Sequence, residues 1–198
     1  MVFEQRELLV VALGGNALSP PHGRADGYQD ERNIIATTGP LLDALADRGY
    51  RLLVVHGNGP QVGRLLRQDI AVENLDIHIA QTQGELGYLL SAACRGPFAC
   101  LTTRVMVDTS VGPPVKPIGP WQSKPTESVP GISGPRGWRR LVPSPRPLQI
   151  IEEQTIATLL RHSHVIAGGG GGIPVDASGK PVAGVVDKDW TASCLLYT

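Results

Sequence analysis

The sequence predicts an α/β protein, a three-layer αβα sandwich around a mostly parallel central sheet, and three observations carry that prediction. Continuous apolar runs such as "LLVVAL", "YRLLVVHG" and "HVIAGG" lack polar alternation and end in glycine, as strands buried on both faces of a parallel sheet do. The segments between them carry apolar residues at helical spacing, so strand and helix alternate. No internal repeat is visible, and 198 residues suit a single domain with a sizeable core.

Leu8 to Leu13 form the first predicted strand, stopped by Gly14 and Gly15. Ile34, Thr38, Leu41, Leu42 and Leu45 recur on one helical face and stop at Gly49, a suitable residue just past a helix end. Tyr50 to Gly57 make the second strand, and Pro60 opens a helix running to about Ala71, because its ring presets the first helical turn. A further helix is expected from about Ile79 to Ala93, followed by a strand over Phe98 to Thr103.

From Val111 to Pro147 the helical period disappears, and this stretch holds more than half of the prolines together with Trp121 and Trp138. It is expected to be a small excursion of extended segments and turns, at about 111–147, within a single domain spanning 1–198. Regular alternation then resumes. A helix is predicted from about Leu148 to Arg161, a strand over His164 to Gly169, a hairpin-like segment around "VDASGKPVAG", and a last helix opened near Asp187.

Composition excludes several partners. Lys plus Arg and Asp plus Glu each total 18, so no net field favours nucleic acid or an anionic membrane, and any anion must be held locally. Cys94, Cys100 and Cys194 are odd in number and lack metal-ligand spacing, which argues for reduced thiols in an intracellular chain. The apolar run near the N-terminus is too short for a secretory or membrane-spanning segment, so a cytoplasmic location is expected. His162 and His164 have no third ligand near them, and no metal site is assigned.

The chemistry concentrates in three glycine loops at strand ends, where α/β sheets bind ligands. "ALGGNAL" (Ala12 to Leu18), "HGNGPQVG" (His56 to Gly63) and "GGGGGIPV" (Gly168 to Val175) each free backbone N–H groups to converge on an anion. Each loop has a plainer reading, as a tight turn or, for the five glycines, a flexible lid. Repetition at one topological place favours a phosphate-rich site. Neither a P-loop nor the dinucleotide fingerprint is present at the first strand.

"ALGGNAL", "HGNGPQVG", "QTQGELGY", "KPIGP", "GWRRLVPSPRP", "IAGGGGGIPV" and "VVDKD" occur in an order that resembles the carbamate kinases of the amino acid kinase superfamily, from Leu9 to about Asp189. Gln29 and Asn33 fit the same pattern. The resemblance implies a kinase that interconverts carbamoyl phosphate plus ADP with carbamate plus ATP, with Mg2+, in arginine and carbamoyl phosphate catabolism, as a homodimer with a small-molecule substrate. In-line phosphoryl transfer needs alignment and charge stabilisation more than covalent chemistry, which suits glycine amides and a few lysines.

By that resemblance Gly14, Gly15 and Asn16 cradle the transferring phosphoryl group, Gly57, Asn58 and Gly59 hold the carbamate end, and Gly169, Gly170 and Gly171 complete the phosphate-binding set. Many superfamily members carry a lysine where this chain has Ala12, so the charge is assigned to Lys116, which otherwise reads as a solvated loop lysine. Lys188 is a phosphate contact and Asp189 the acid that orients lysines; the same turn also reads as a helix N-cap. Arg139 and Arg140 are read as structural, and His56 as packing beside its loop.

The pattern also departs from the family. The links on either side of "KPIGP" are compressed, which weakens the placement of Lys116, and the chain has nine residues after Asp189, where the resemblance implies a nucleotide-binding lobe. The expectation is a chain that carries the acceptor and phosphoryl half of the site, with Trp190, Leu195, Leu196 and Tyr197 presented as an apolar face. Two readings stay open: a carbamate kinase, or a shortened inactive homologue that binds a small anion or acts as an interaction protein.

Overall fold

A computed structural model describes residues 3–19, 28–68, 74–110, 112–125 and 129–196. Its centre is a four-stranded, wholly parallel sheet of β1 (Leu8–Leu13), β2 (Arg51–His56), β9 (His164–Ile166) and β3 (Phe98–Cys100), in the order β1-β2-β9-β3. The helices α1 (Tyr28–Asp47) and α3 (Leu75–Ala93) cover one face, and α4 (Glu153–Leu159) and α5 (Lys188–Leu195) the other. This is the three-layer α/β arrangement that the alternation of patterns predicts.

β2 shows why its four central residues, Leu52 to Val55, are all apolar. Strand alternation sends Leu52 and Val54 into the core under α1 and α3, while Leu53 and Val55 enter the core under α4 and α5. All four are 0% exposed, and each is worth about 2 kcal/mol of burial. β1 differs from the expectation of burial on both faces: it lies at the sheet's edge, Leu8 to Val11 are half-buried, Ala12 is exposed, and Leu13 alone is buried.

Two smaller sheets complete the molecule. β4 (Arg104–Val107) pairs with β10 (Ile173–Val175) in parallel and with β8 (Pro147–Ile150) antiparallel. β5 (Lys116–Gln122), β7 (Gly137–Val142) and β6 (Gly131–Gly134) form an antiparallel sheet in that order. It rests on α2 (Gly59–Gln68), and the contact is backbone against backbone: a Cβ on Gly63 would come within 1.9 Å of the Gly119 Cα.

Several boundaries correct the sequence reading. The helix expected over Leu148 to Arg161 is strand β8 followed by the shorter α4, because β4 supplies a ladder partner that local helical spacing does not announce. The strand expected over Phe98 to Thr103 ends at Cys100, since the Gln83 side chain captures the Thr103 N–H at 2.8 Å. β9 stops at Ile166 instead of Gly169, because Gly168 turns left-handed at φ 65°. Helix α3 starts at Leu75, a turn before the expected Ile79, and α2 ends at Gln68, beyond which the expected extension to Ala71 lies outside the described residues. The hairpin after β10 is present, with the Asp176 N–H donating to the Lys180 carbonyl at 2.9 Å.

The apolar face expected on the last helix is also corrected. Leu195 is fully buried, on the same side of α5 as Thr191 and Ala192, while Trp190 and Leu196 point outward; Tyr197 lies outside the described residues.

Candidate functional site

The ends of β1 and β2 are tied together, because the Gly57 N–H donates to the Leu13 carbonyl at 2.9 Å. After β1, Gly14 is extended (φ −82°, ψ 175°) and the chain makes one 3₁₀ turn over Gly15–Ala17, which contains Asn16. The Ser19 N–H closes that turn on the Gly15 carbonyl at 2.8 Å, and Thr38 Oγ1 anchors it from α1 by donating to the Ala17 carbonyl at 2.8 Å.

After β2 the loop Gly57 to Gly59 runs directly into α2, with Pro60 in its first turn. The opening N–H groups of a helix have no intrahelical acceptor and lie at the positive end of its dipole, so this loop offers an anion both hydrogen bonds and field. Asn58 is buried; its Nδ2 donates to Thr82 Oγ1 at 2.9 Å, which holds the loop against α3.

The five glycines form a packed turn and not a lid. Gly170 has φ 65° and lies against Asn58, where an added Cβ would come within 2.1 Å of Nδ2. Gly169 sits over the His56 ring, and its carbonyl accepts from Gln83 Nε2 at 2.9 Å. Thr191 Oγ1 donates to the Gly171 carbonyl at 2.7 Å, and the Gly168 N–H donates to Thr103 Oγ1 at 2.9 Å. The "QTQGELGY" segment thus acts through Gln83 and Thr82 as the scaffold behind two of the glycine loops.

These loops border one cavity of about 310 Å³. Gly15, Gly57, Asn58, Gly59 and Gly170 line it, together with Lys116 and Lys188. Pro60, Ile118, Val185 and Val186 supply apolar wall. The Lys188 stem passes over Gly57, 3.5 Å from where a Cβ would stand. Gly169 and Gly171 sit behind the lining with carbonyls already engaged, and Gly14 forms the approach to the turn.

Charges around the cavity are paired in a way the sequence reading did not foresee. Lys116 from β5 donates to Asp187, which also caps α5 by accepting the Asp189 N–H at 2.9 Å. Asp189 pairs with Lys188 and is otherwise exposed. Asp187 is therefore the acid that holds Lys116, a role not assigned to it beforehand. Burial alone would raise the Asp187 carboxyl, yet hydrogen bonds from Lys116 and the Asp189 amide, with the charges of both lysines, hold it below the usual carboxylate range.

Arg139 was read as structural, and it does brace the small sheet: its Nε donates to the Gly119 carbonyl at 2.7 Å. It also lines the cavity, with Nη2 3.7 Å from where a Gly59 Cβ would be. Burial, then the charge of Arg136, lowers its pKa from the ordinary guanidinium value. No ion pair to Arg139 is present among the described residues, so its charge faces the same space as the glycine amides. The β5–β7 pairing that brings it there is a long-range event with no local signature.

His56 lies behind the site, fully buried, with Nδ1 3.1 Å from the Gly57 carbonyl. Burial pushes its pKa down to about 4, so the neutral imidazole supports the loop by packing. Among the described residues no helix is long and apolar enough to cross a membrane, and Cys94, Cys100 and Cys194 are free thiols.

Comparison with known proteins matches the amino acid kinase family model to residues 7–196. The carbamate kinase of Halobacterium salinarum is 39% identical over 210 residues, covering 94% of this chain and 68% of that protein. A solved carbamate kinase from Giardia lamblia bound to citric acid superposes with a TM-score of 0.85 at 30% identity, covering 97% of this chain and 71% of the other. The same Giardia enzyme bound to AMP-PNP superposes with a TM-score of 0.80 at 31% identity, covering 97% and 70%.

Proposed function

The chain belongs to the amino acid kinase family, among its carbamate kinases, and from that premise we propose that it serves transfer of a phosphoryl group between carbamoyl phosphate and ADP, giving carbamate and ATP. The observation that carries this reading is the single cavity on which Gly15, Gly57 to Gly59, Gly170, Lys116, Lys188 and Arg139 converge. AMP-PNP on the Giardia relative supports an adenine nucleotide as the second substrate.

In the proposed reaction the bond between phosphorus and the carbamate oxygen breaks as a bond to the terminal oxygen of ADP forms. No side chain acts as nucleophile. Negative charge spreads over the oxygens of the transferring group, and the protein's part is to hold and neutralise it. The amides at the start of α2 and the turn at Gly15 hold the small acid and its phosphoryl group. Lys116, fixed by Asp187, and Lys188, fixed by Asp189, bring positive charge to the passing group. Arg139 presents a planar pair of N–H donors to a carboxyl-type or phosphoryl oxygen. The apolar walls from Ile118, Val185 and Val186 strengthen each of these interactions by excluding water.

The resemblance also implies Mg2+ with the nucleotide. The carboxylates that reach the cavity's lysines, Asp187 and Asp189, are spent on Lys116 and Lys188. That donor set does not fit a protein-held divalent ion, and no step is derived through one.

The test separates binding from turnover. Carbamoyl phosphate at millimolar concentration raises the melting temperature of the chain, since a ligand that binds only the folded state stabilises it by mass action. No shift in a folded sample overturns the reading. Coupled ATP formation from carbamoyl phosphate and ADP is then measured on the same sample. Protection without ATP formation favours the second reading, a homologue that binds the small anion without turning it over.

A further inference from the structure

The two anion loops are joined behind the cavity by one buried amide. Gln61, two residues into α2 beyond Gly59, is 0% exposed, and its Nε2 donates both hydrogens: to Ser19 Oγ at 2.9 Å and to Glu31 Oε1 at 3.0 Å. Ser19 belongs to the loop after β1, and its own N–H donates to the Gly15 carbonyl at 2.8 Å. A continuous hydrogen-bonded path therefore runs from the first turn of α2 through Gln61 and Ser19 to Gly15, which lines the cavity.

Glu31 decides which way that amide faces. It sits in the first turn of α1, is 0% exposed, and takes Arg64 Nη1 at 2.8 Å on the same oxygen that accepts from Gln61. Arg64 reaches on to Glu85 of α3 at 2.5 Å. A flipped Gln61 would turn its carbonyl oxygen toward the Glu31 carboxylate and leave the Ser19 oxygen without that donor. The carbonyl oxygen of Gln61, like Glu31 Oε2 and Arg64 Nε, makes no hydrogen bond among the described residues, so this orientation carries the cost of a buried unpaired acceptor, and the alternative is worse because it faces that oxygen toward a carboxylate.

We propose that Gln61 is a positioning residue that sets the separation between the Gly15 turn and the Gly57 to Gly59 loop, acting through Ser19 and oriented by Glu31. The proposal rests on the reading that these loops together hold a phosphorylated small acid. An anion shared by two sets of amides is sensitive to their spacing, because each hydrogen bond weakens steeply with misalignment. Gln61 does not line the cavity; its part is to keep the donors apart by the right distance.

Ser19→Ala removes the acceptor that carries the link while leaving a small side chain. It is expected to speed amide hydrogen exchange about tenfold in both loops, and to weaken the protection given by carbamoyl phosphate by a similar factor. Gln61→Glu keeps the shape but sets a second carboxylate against Glu31 and removes both donated hydrogens, so it should weaken carbamoyl phosphate protection as Ser19→Ala does. Adding Glu31→Gln exchanges the two groups, leaves Arg64 one carboxylate to pair with, and should restore the protection, a rescue that a simple packing role would not give.

Unchanged exchange in both loops for Ser19→Ala overturns the proposal, whether or not carbamoyl phosphate binds. Faster exchange in both loops supports it, even in a chain where carbamoyl phosphate gives no protection; that outcome would remove the substrate reading and leave the positioning role standing. Should Gln61→Glu fail to fold, Ser19→Ala decides alone.

Discussion

Lys116 and Asp187 lie 71 positions apart and meet as an ion pair at the mouth of the cavity, joining the small antiparallel sheet to the N-terminus of α5. The carboxylate does two jobs there, since its other oxygen caps the helix at 2.9 Å. The pairing means that the position of Lys116 is set from the far end of the chain and not by the proline-rich segment alone.

The two jobs of Asp187 separate by substitution. Asp187→Asn keeps a good helix cap and loses only the charge pair, which is partly exposed, so stability should fall by less than about 1 kcal/mol. Asp187→Ala loses the cap as well and should cost about 1 kcal/mol more. Urea denaturation of the two variants checks this, and equal losses would show that the cap contributes nothing.

Gly170 and Gly179 both have positive φ, 65° and 82°, but only Gly170 is enclosed. Gly170→Ala adds a Cβ into the Asn58 amide and should cost more than about 2 kcal/mol. Gly179→Ala has open space around it and should cost about 1 kcal/mol, from backbone strain alone. A similar loss for both would mean that the contact with Asn58 is soft.

Acid should destabilise the chain through His56. Its folded-state pKa, about 4, lies below the ordinary 6.5, so the unfolded chain takes up the proton first. The stabilisation is full above about pH 6.5, declines as pH falls, and is exhausted near pH 4, for a total on the order of 3 kcal/mol. His164 adds in the same direction, its pKa lowered first by burial and then by the Arg6 charge. Its neutral Nδ1 accepts the Leu52 N–H at 3.0 Å, a bond the protonated ring cannot make. Denaturation from about pH 7 to about pH 5 should show the slope, and His56→Gln should reduce it.

The parts of this molecule that were legible in the sequence are those written in local pattern. β2 is apolar at four consecutive buried positions, Leu52 to Val55, and the glycine loops end strands in plain view, so the parallel sheet and the Gly57 to Gly59 loop could be read directly. β4 and β8 could not, because neither alternates clearly and their ladders depend on segments far away in the chain, β8 on β4 and β4 on both β8 and β10. The same holds at the site. Lys116 was singled out by the absence of a lysine at Ala12, whereas Asp187 and Arg139 gain their places from tertiary pairing, and nothing local marks Gln61, just past the Gly57 to Gly59 loop, as a buried residue. Its burial against Glu31 and Ser19 depends on three separate segments coming together.

Arg139 supplies the last prediction. Its Nε is spent on the Gly119 carbonyl, which aims the guanidinium, and Nη2 lies beside the Gly59 backbone at the cavity wall. An arginine so held is pre-organised for a planar two-oxygen group such as the carboxyl end of a small acid, and a lysine cannot reproduce the paired donors. Arg139→Lys should therefore keep the positive charge yet weaken carbamoyl phosphate protection by about tenfold, the worth of one lost charge-assisted hydrogen bond. Arg139→Met should weaken it further while keeping much of the stem packing. Inorganic phosphate, which has no carboxyl end, should lose less affinity than carbamoyl phosphate in both variants. Thermal protection measured with the two ligands in parallel decides the matter: equal losses would make Arg139 a general source of positive field, and no loss in Arg139→Met would return it to a bracing role in the small sheet.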